Sequence, residues 1–232
     1  MNFFNQFLWV IYPYIMFTLF IIVHIYRYNT DQINWSAKSS EFLEKKSLKW
    51  GSILFHYGIL LAFGGHFVGL IIPISVTEKL GITEGLYHAS AVILGSIAGI
   101  LTLIGTILLL LRRTTNKRIR ITSSFADILI IVLLFLVVGI GVYNTIGYNL
   151  VTENFNYRES LAPWLRGLFT FQPNPELMIE VPLVFQIHTL LAFTTLGVWP
   201  FTRLVHILSA PLTYPTRRYI LYRSLGKKNN IE

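Results

Sequence analysis

Apolar side chains in this chain neither alternate nor mark out one helical face. They fill five uninterrupted stretches, at about 3–26, 51–74, 86–111, 125–147 and 183–208. Each is close to the roughly 20 residues that an α-helix needs to cross the hydrocarbon core of a bilayer. The runs are too long for strands, and lipid offers no partners to open backbone groups, so each is expected to be a spanning helix. The predicted fold is all-α: an integral membrane five-helix transmembrane bundle forming a single domain over 1–232, with a tail at 209–232. No repeat of solenoid period and no low-complexity tract divides it.

Composition strengthens this reading. Hydrophobic residues make up 53% of the chain and charged residues only 13%, about half the roughly 25% usual in soluble domains. The first run lacks a basic leading region and a small-residue cleavage site, and it runs into His24, Tyr26 and Arg27. It is therefore expected to stay as a helix.

Charge sets the expected orientation, because Lys and Arg near helix ends favour the cytoplasmic side. Of 19 basic residues, sixteen flank the same side: Arg27 to Lys49 after the first run, Arg112 to Arg120 after the third, and Arg203 to Lys228 at the end. Lys79, Arg158 and Arg166 fall on the other side. The expected topology is N-terminus outside and C-terminus cytoplasmic, in a multi-pass membrane protein. The net charge of +8 is then a property of the inner face and its lipid headgroups; no nucleic-acid motif is present.

The chain has no cysteine, which removes disulfides, thiolate metal sites and cysteine-ligated iron–sulfur clusters. It also removes thioether-linked haem, so a haem here would be non-covalent and of b type.

Histidine carries the chemistry. His56 and His66 lie in the second run and His188 and His206 in the fifth, and an ionisable residue at membrane depth is a functional hypothesis by default. The two runs are antiparallel. His66 therefore comes opposite His188 near the outer side, and His56 opposite His206 near the inner side. Two facing pairs suit two haems. Bis-histidine iron has no open position, so such groups pass electrons rather than bind oxygen. At 1.5 Å per residue, His56 and His66 are separated by about 15 Å of rise, whereas His188 and His206, five full turns apart on one face, are separated by about 27 Å. Tilt or a bend at Pro200 must absorb the difference.

Other residues have two readings each. Gly51, Gly58, Gly64, Gly65 and Gly69 thin the second helix, for a flat macrocycle or for ordinary helix packing. Arg203, and more remotely Arg112 and Arg113, either meet haem propionates or anchor the inner face. His24 reads as structural. Asp127 reads as a helix cap.

The segments IYPYI, LFHYGILLAFGGHFVG, LIGTILLLLRR, ADILI and FQIHTLLAFTTLGVWPFTRLVHILSAP resemble the gamma subunit of respiratory nitrate reductase almost from end to end. The resemblance implies a di-haem b membrane anchor, with His66 and His188 as distal and His56 and His206 as proximal haem ligands. It implies quinol, menaquinol above all, as electron donor in anaerobic respiration. It also implies a molybdenum-cofactor catalytic subunit and an iron–sulfur subunit on the cytoplasmic face, contacted by the tail PLTYPTRRYILYR, whose other reading is a short amphipathic helix lying on membrane lipids. Nitrate reduction itself would belong to a partner. This chain departs from the family at the quinol site, where a lysine gives way to EGLYHASAV. Gly65, His66, Tyr87 and His88 are the candidates left there, none of them firmly catalytic, and His88 reads first as a plain interfacial residue. The alternatives are a cytochrome b anchor of formate dehydrogenase or hydrogenase type, and a metal transporter, for which acids at mid-membrane are missing.

Overall fold

The computed structural model describes residues 2–31, 35, 40–148 and 155–208. The described residues are helical and contain no strand. Five helices are long and apolar enough to cross a membrane: α1 (Phe3–Thr30), α2 (Lys46–Ile71), α4 (Glu84–Thr115), α6 (Phe125–Gly147) and α8 (Leu183–Phe201). Short helices α3 (Ile74–Lys79), α5 (Lys117–Thr122) and α7 (Leu161–Phe169) link them. The tail expected at 209–232 lies outside the described residues.

Local chemistry sets the helix ends. Thr83 and Asn116 accept backbone N–H groups at the starts of α4 and α5, and Ser124 with Asp127 forms a complete capping box at α6, satisfying donors that a helix start leaves open. Pro73 and Pro182 stand just before α3 and α8.

The spans pack in the order α2, α4, α6, α8, α1. The closest seam is α2 on α4. A Cβ at Gly58 would stand 2.5 Å from Thr102 Oγ1 and 2.6 Å from its backbone nitrogen, and one at Gly105 would run into the Phe55 backbone. Glycine is what lets the two backbones approach. Thr102 and Thr106, buried in this seam, donate to the carbonyls of Ala98 and Thr102 one turn back. Outward, large apolar residues such as Leu60, Leu61, Ile93 and Leu94 are exposed, as a lipid-facing surface requires.

At the end carrying the N-terminus, the amphipathic α7 closes the bundle. Its Leu161, Trp164 and Leu168 form a buried cluster with Trp9, Met178, Val181 and Phe193, and Trp164 Nε1 donates to the Trp9 carbonyl at 2.8 Å.

One expectation fails. The fifth run was to be a single helix over 183–208, with His188 and His206 on one face. Instead α-helix ends at Val198, Trp199–Phe201 tightens to a 3₁₀ turn, and Thr202 is extended (φ −117°, ψ −179°). A second 3₁₀ turn, Arg203–Ile207, then carries His206. Pro200 brings no backbone N–H to continue the α ladder, its carbonyl accepts Arg27 Nη1, and Thr202 Oγ1 accepts the Leu204 N–H. His188 to Val198 is already ten residues, the same separation as His56 to His66. The break removes the need for the remaining residues to continue down the axis.

Candidate histidine-pair site

α2 and α8 are not packed against each other, and the four histidines face one another across the space between them. His56 and His206 have ring centroids 6.2 Å apart, with planes at 70°. His66 and His188 are 6.3 Å apart at 24°. An imidazole nitrogen binds a metal ion at about 2.0 Å with its ring centre about 1 Å further back, so imidazoles on opposite sides of one metal have centroids about 6 Å apart. Both pairs have that separation.

The rings are also oriented for it. His56 Nδ1 donates to the Ser52 carbonyl (2.7 Å), His66 Nδ1 to the Ala62 carbonyl (2.7 Å) and His206 Nδ1 to the Arg203 carbonyl (2.6 Å). A carbonyl on one ring nitrogen fixes the tautomer and leaves Nε2 unprotonated, the form in which an imidazole can bind a metal. His188 lies against Gly141, where a Cβ would come within 2.9 Å of its Cε1. Nothing stands within 4 Å of a Cβ placed at Gly64 or Gly65, so α2 presents open space beside His66. Among the described residues no three His, Cys, Asp or Glu side chains converge as a metal cluster; the histidines meet as pairs.

Of the arginines read from sequence, Arg203 is joined to the inner pair through its own carbonyl, while its Nε lies 3.1 Å from Asp127 Oδ1. Arg113 reaches the same carboxylate at 3.4 Å and donates to Ser123 Oγ. Arg112 turns away. Its guanidinium donates to Glu44 Oε2, Ser40 Oγ and the carbonyls of Ser40 and Glu44, tying the chain before α2 to the end of α4. The Ser47 N–H and then Arg112 hold the Glu44 carboxyl below its usual range.

At the opposite end, Tyr87 is buried with its hydroxyl 2.8 Å from that of Tyr157, and Arg158 Cζ stands 3.8 Å above the Tyr87 ring. Arg158, itself buried, donates to Glu84 Oε2 (2.7 Å) and Thr77 Oγ1 (2.9 Å). Both tyrosine hydroxyls would lie 2.6 Å from a Cβ at Gly69, three residues after His66. Burial, then the Tyr87 bond, push the Tyr157 phenol well above its ordinary value, so it remains protonated. His88 is half-buried and is not part of this cluster.

His24 is buried, with Nδ1 on the Phe20 carbonyl and its ring against Phe20 and Trp35. Asp127 does cap α6, and it also joins two arginines. Sequence reading missed Arg158, Tyr157, Glu84 and Gly141. Their one trace was a cation on the side otherwise almost without basic residues.

Residues 5–225 match the family model described as nitrate reductase gamma subunit. The chain is 48% identical over 219 residues to the nitrate reductase gamma chain of Bacillus subtilis (strain 168), covering 94% of this chain and 98% of that one. It is 40% identical over 222 residues to the nitrate reductase-like protein NarX of Mycobacterium tuberculosis (strain ATCC 25618 / H37Rv), covering 95% of this chain but 34% of that protein. To the respiratory nitrate reductase 2 gamma chain of Escherichia coli (strain K12) it is 38% identical over 228 residues, 95% and 97% of the two chains.

Proposed function

The chain belongs to the nitrate reductase gamma subunit family, and on that footing we propose that it is the quinol-oxidising, di-haem b membrane anchor of a respiratory nitrate reductase. His66 and His188 would hold the outer haem, and His56 and His206 the inner one. The observation that carries the reading is the pair of matched ring separations, 6.2 and 6.3 Å, on two elements that do not otherwise pack together.

Bound at these positions, the two haems supply one-electron transfer between the faces of the membrane. The chain's own residues do the rest. Carbonyls of Ser52, Ala62 and Arg203 fix three imidazoles with Nε2 inward, and Gly141 admits the fourth. The apolar walls of α2, α6 and α8 keep water out. Menaquinol, or a quinol like it, would approach beside Gly65 and His66. There the hydroxyl pair of Tyr87 and Tyr157 has one proton left to donate, since one O–H suffices to join them. His88, at the outer rim, would offer the quinol a further hydrogen-bonding group.

With the N-terminus outside, protons would leave on the outer face and electrons inward. The iron–sulfur subunit and the molybdenum-cofactor catalytic subunit would dock on the arginine-rich cytoplasmic face, and nitrate would be reduced there rather than on this chain. The setting is a bacterial cell membrane.

A pyridine haemochrome assay on the purified complex tests the proposal. Two b-type haems per gamma chain are expected; fewer than two would overturn it.

A further inference from the structure

His206 is not held by the helix that carries His188, so something else must fix its place, and the structure identifies the anchor. We infer that Asp127 is the positioning residue of the inner histidine pair and that its charge sets how readily the inner haem is reduced. This rests on the two-haem reading above.

The helical path is broken at Thr202. Beyond it, His206 sits on a turn of five residues, which has too few hydrogen bonds to define a direction alone. Leu204 and Val205 are buried, and His206 Nδ1 donates to the Arg203 carbonyl at 2.6 Å. The Arg203 side chain carries that turn to Asp127, at 3.1 Å.

Asp127 is well placed to be a fixed point. Its backbone N–H donates to Ser124 Oγ and its Oδ2 accepts the Ser124 N–H, at 3.2 and 3.1 Å. The same carboxylate takes Arg113 from the end of α4. One largely buried anion thus joins the end of α4, the start of α6 and the turn bearing His206. In such a site charges interact more strongly than in water.

Two consequences separate this from a plain helix cap. A nearby negative charge favours the oxidised, more positive iron, so its removal should make the inner haem easier to reduce. Loss of the tether should also alter the orientation of the His206 imidazole on its metal.

The test uses the complete nitrate reductase complex in membranes. Haem is counted first: a wild-type complex with fewer than two haems overturns the underlying reading and, with it, this inference. Given two, potentiometric titration followed by optical and EPR spectra is run on Asp127→Asn, Asp127→Glu and Ser124→Ala. Asp127→Asn should favour reduction of the inner haem by about tenfold, about 59 mV for one electron, with a shifted inner EPR signal and an unchanged outer one. Asp127→Glu should restore most of both, and Ser124→Ala, which removes the Oγ acceptor but keeps the charge, both arginine pairs and the backbone N–H that the Asp127 carboxylate accepts, should move neither. Unchanged potentials and spectra in Asp127→Asn, or an equal shift in Ser124→Ala, would overturn the inference. If Asp127→Asn does not accumulate, the charge-compensated Asp127→Asn with Arg113→Gln replaces it. Its inner EPR signal should still shift because the tether is gone, and an unaltered signal overturns the proposal.

Discussion

His206 comes level with His56, ring centroids 6.2 Å apart, because the helix bearing His188 stops at Phe201 rather than at residue 208. An unbroken helix would separate His188 and His206 by about 27 Å of rise against about 15 Å between His66 and His56. The Thr202 break brings the second pair within the same reach as the first.

Replacing one histidine of a pair should cost one haem and leave the other. His66→Ala is expected to lose the outer haem and quinol oxidation, and His206→Ala the inner haem. Nitrate reduction by the partner subunits with an artificial donor should persist in both. Optical spectra of reduced membranes and a haem count check this; two haems in either variant would refute the ligand assignment.

Gly58 and Gly65, on the same helix, should respond differently to alanine. At Gly58 the new methyl meets the Thr102 backbone at 2.6 Å, where neither helix can yield, so Gly58→Ala should destabilise the α2–α4 seam by about 1–3 kcal/mol. At Gly65 nothing lies within 4 Å, so Gly65→Ala should leave thermal stability unchanged while altering the quinol KM.

The link between Glu44 and Arg112 should weaken in acid. A carboxyl held below its unfolded value, about 4.3, contributes stability that is complete above that value and is lost as pH falls through the lower folded one. Hydrogen exchange of the start of α2 should therefore rise below about pH 4, and Glu44→Gln should remove that pH dependence.

Arg158 is buried while its partner Glu84 reaches the surface. Removing the carboxylate leaves the buried cation with only Thr77 Oγ1 and the Tyr87 ring, and Glu84→Ala should cost about 1–2 kcal/mol, discounted because the carboxylate is partly in solvent. The double change Glu84→Ala with Arg158→Met should recover much of that loss, since an apolar replacement of the whole pair avoids the desolvation penalty. Thermal unfolding of the two variants beside the unaltered protein measures the difference.

The sequence by itself determined the five spans, the all-α class and the four histidines, because lipid leaves an apolar run of this length few structures to adopt and makes any imidazole within it conspicuous. It also carried the antiparallel pairing, which follows from helix direction. The tertiary structure decided what depends on contacts between distant residues. Arg112 binds Glu44, Arg203 binds Asp127, and Arg158 covers Tyr87; no spacing rule relates such partners, because flexible charged side chains choose among whatever the fold brings near. The end of α8 was decided there too. Pro200 signals a bend in the sequence, but the extended residue at Thr202 depends on Arg27 taking the Pro200 carbonyl and on the burial of Leu204 and Val205, and those belong to the packed bundle.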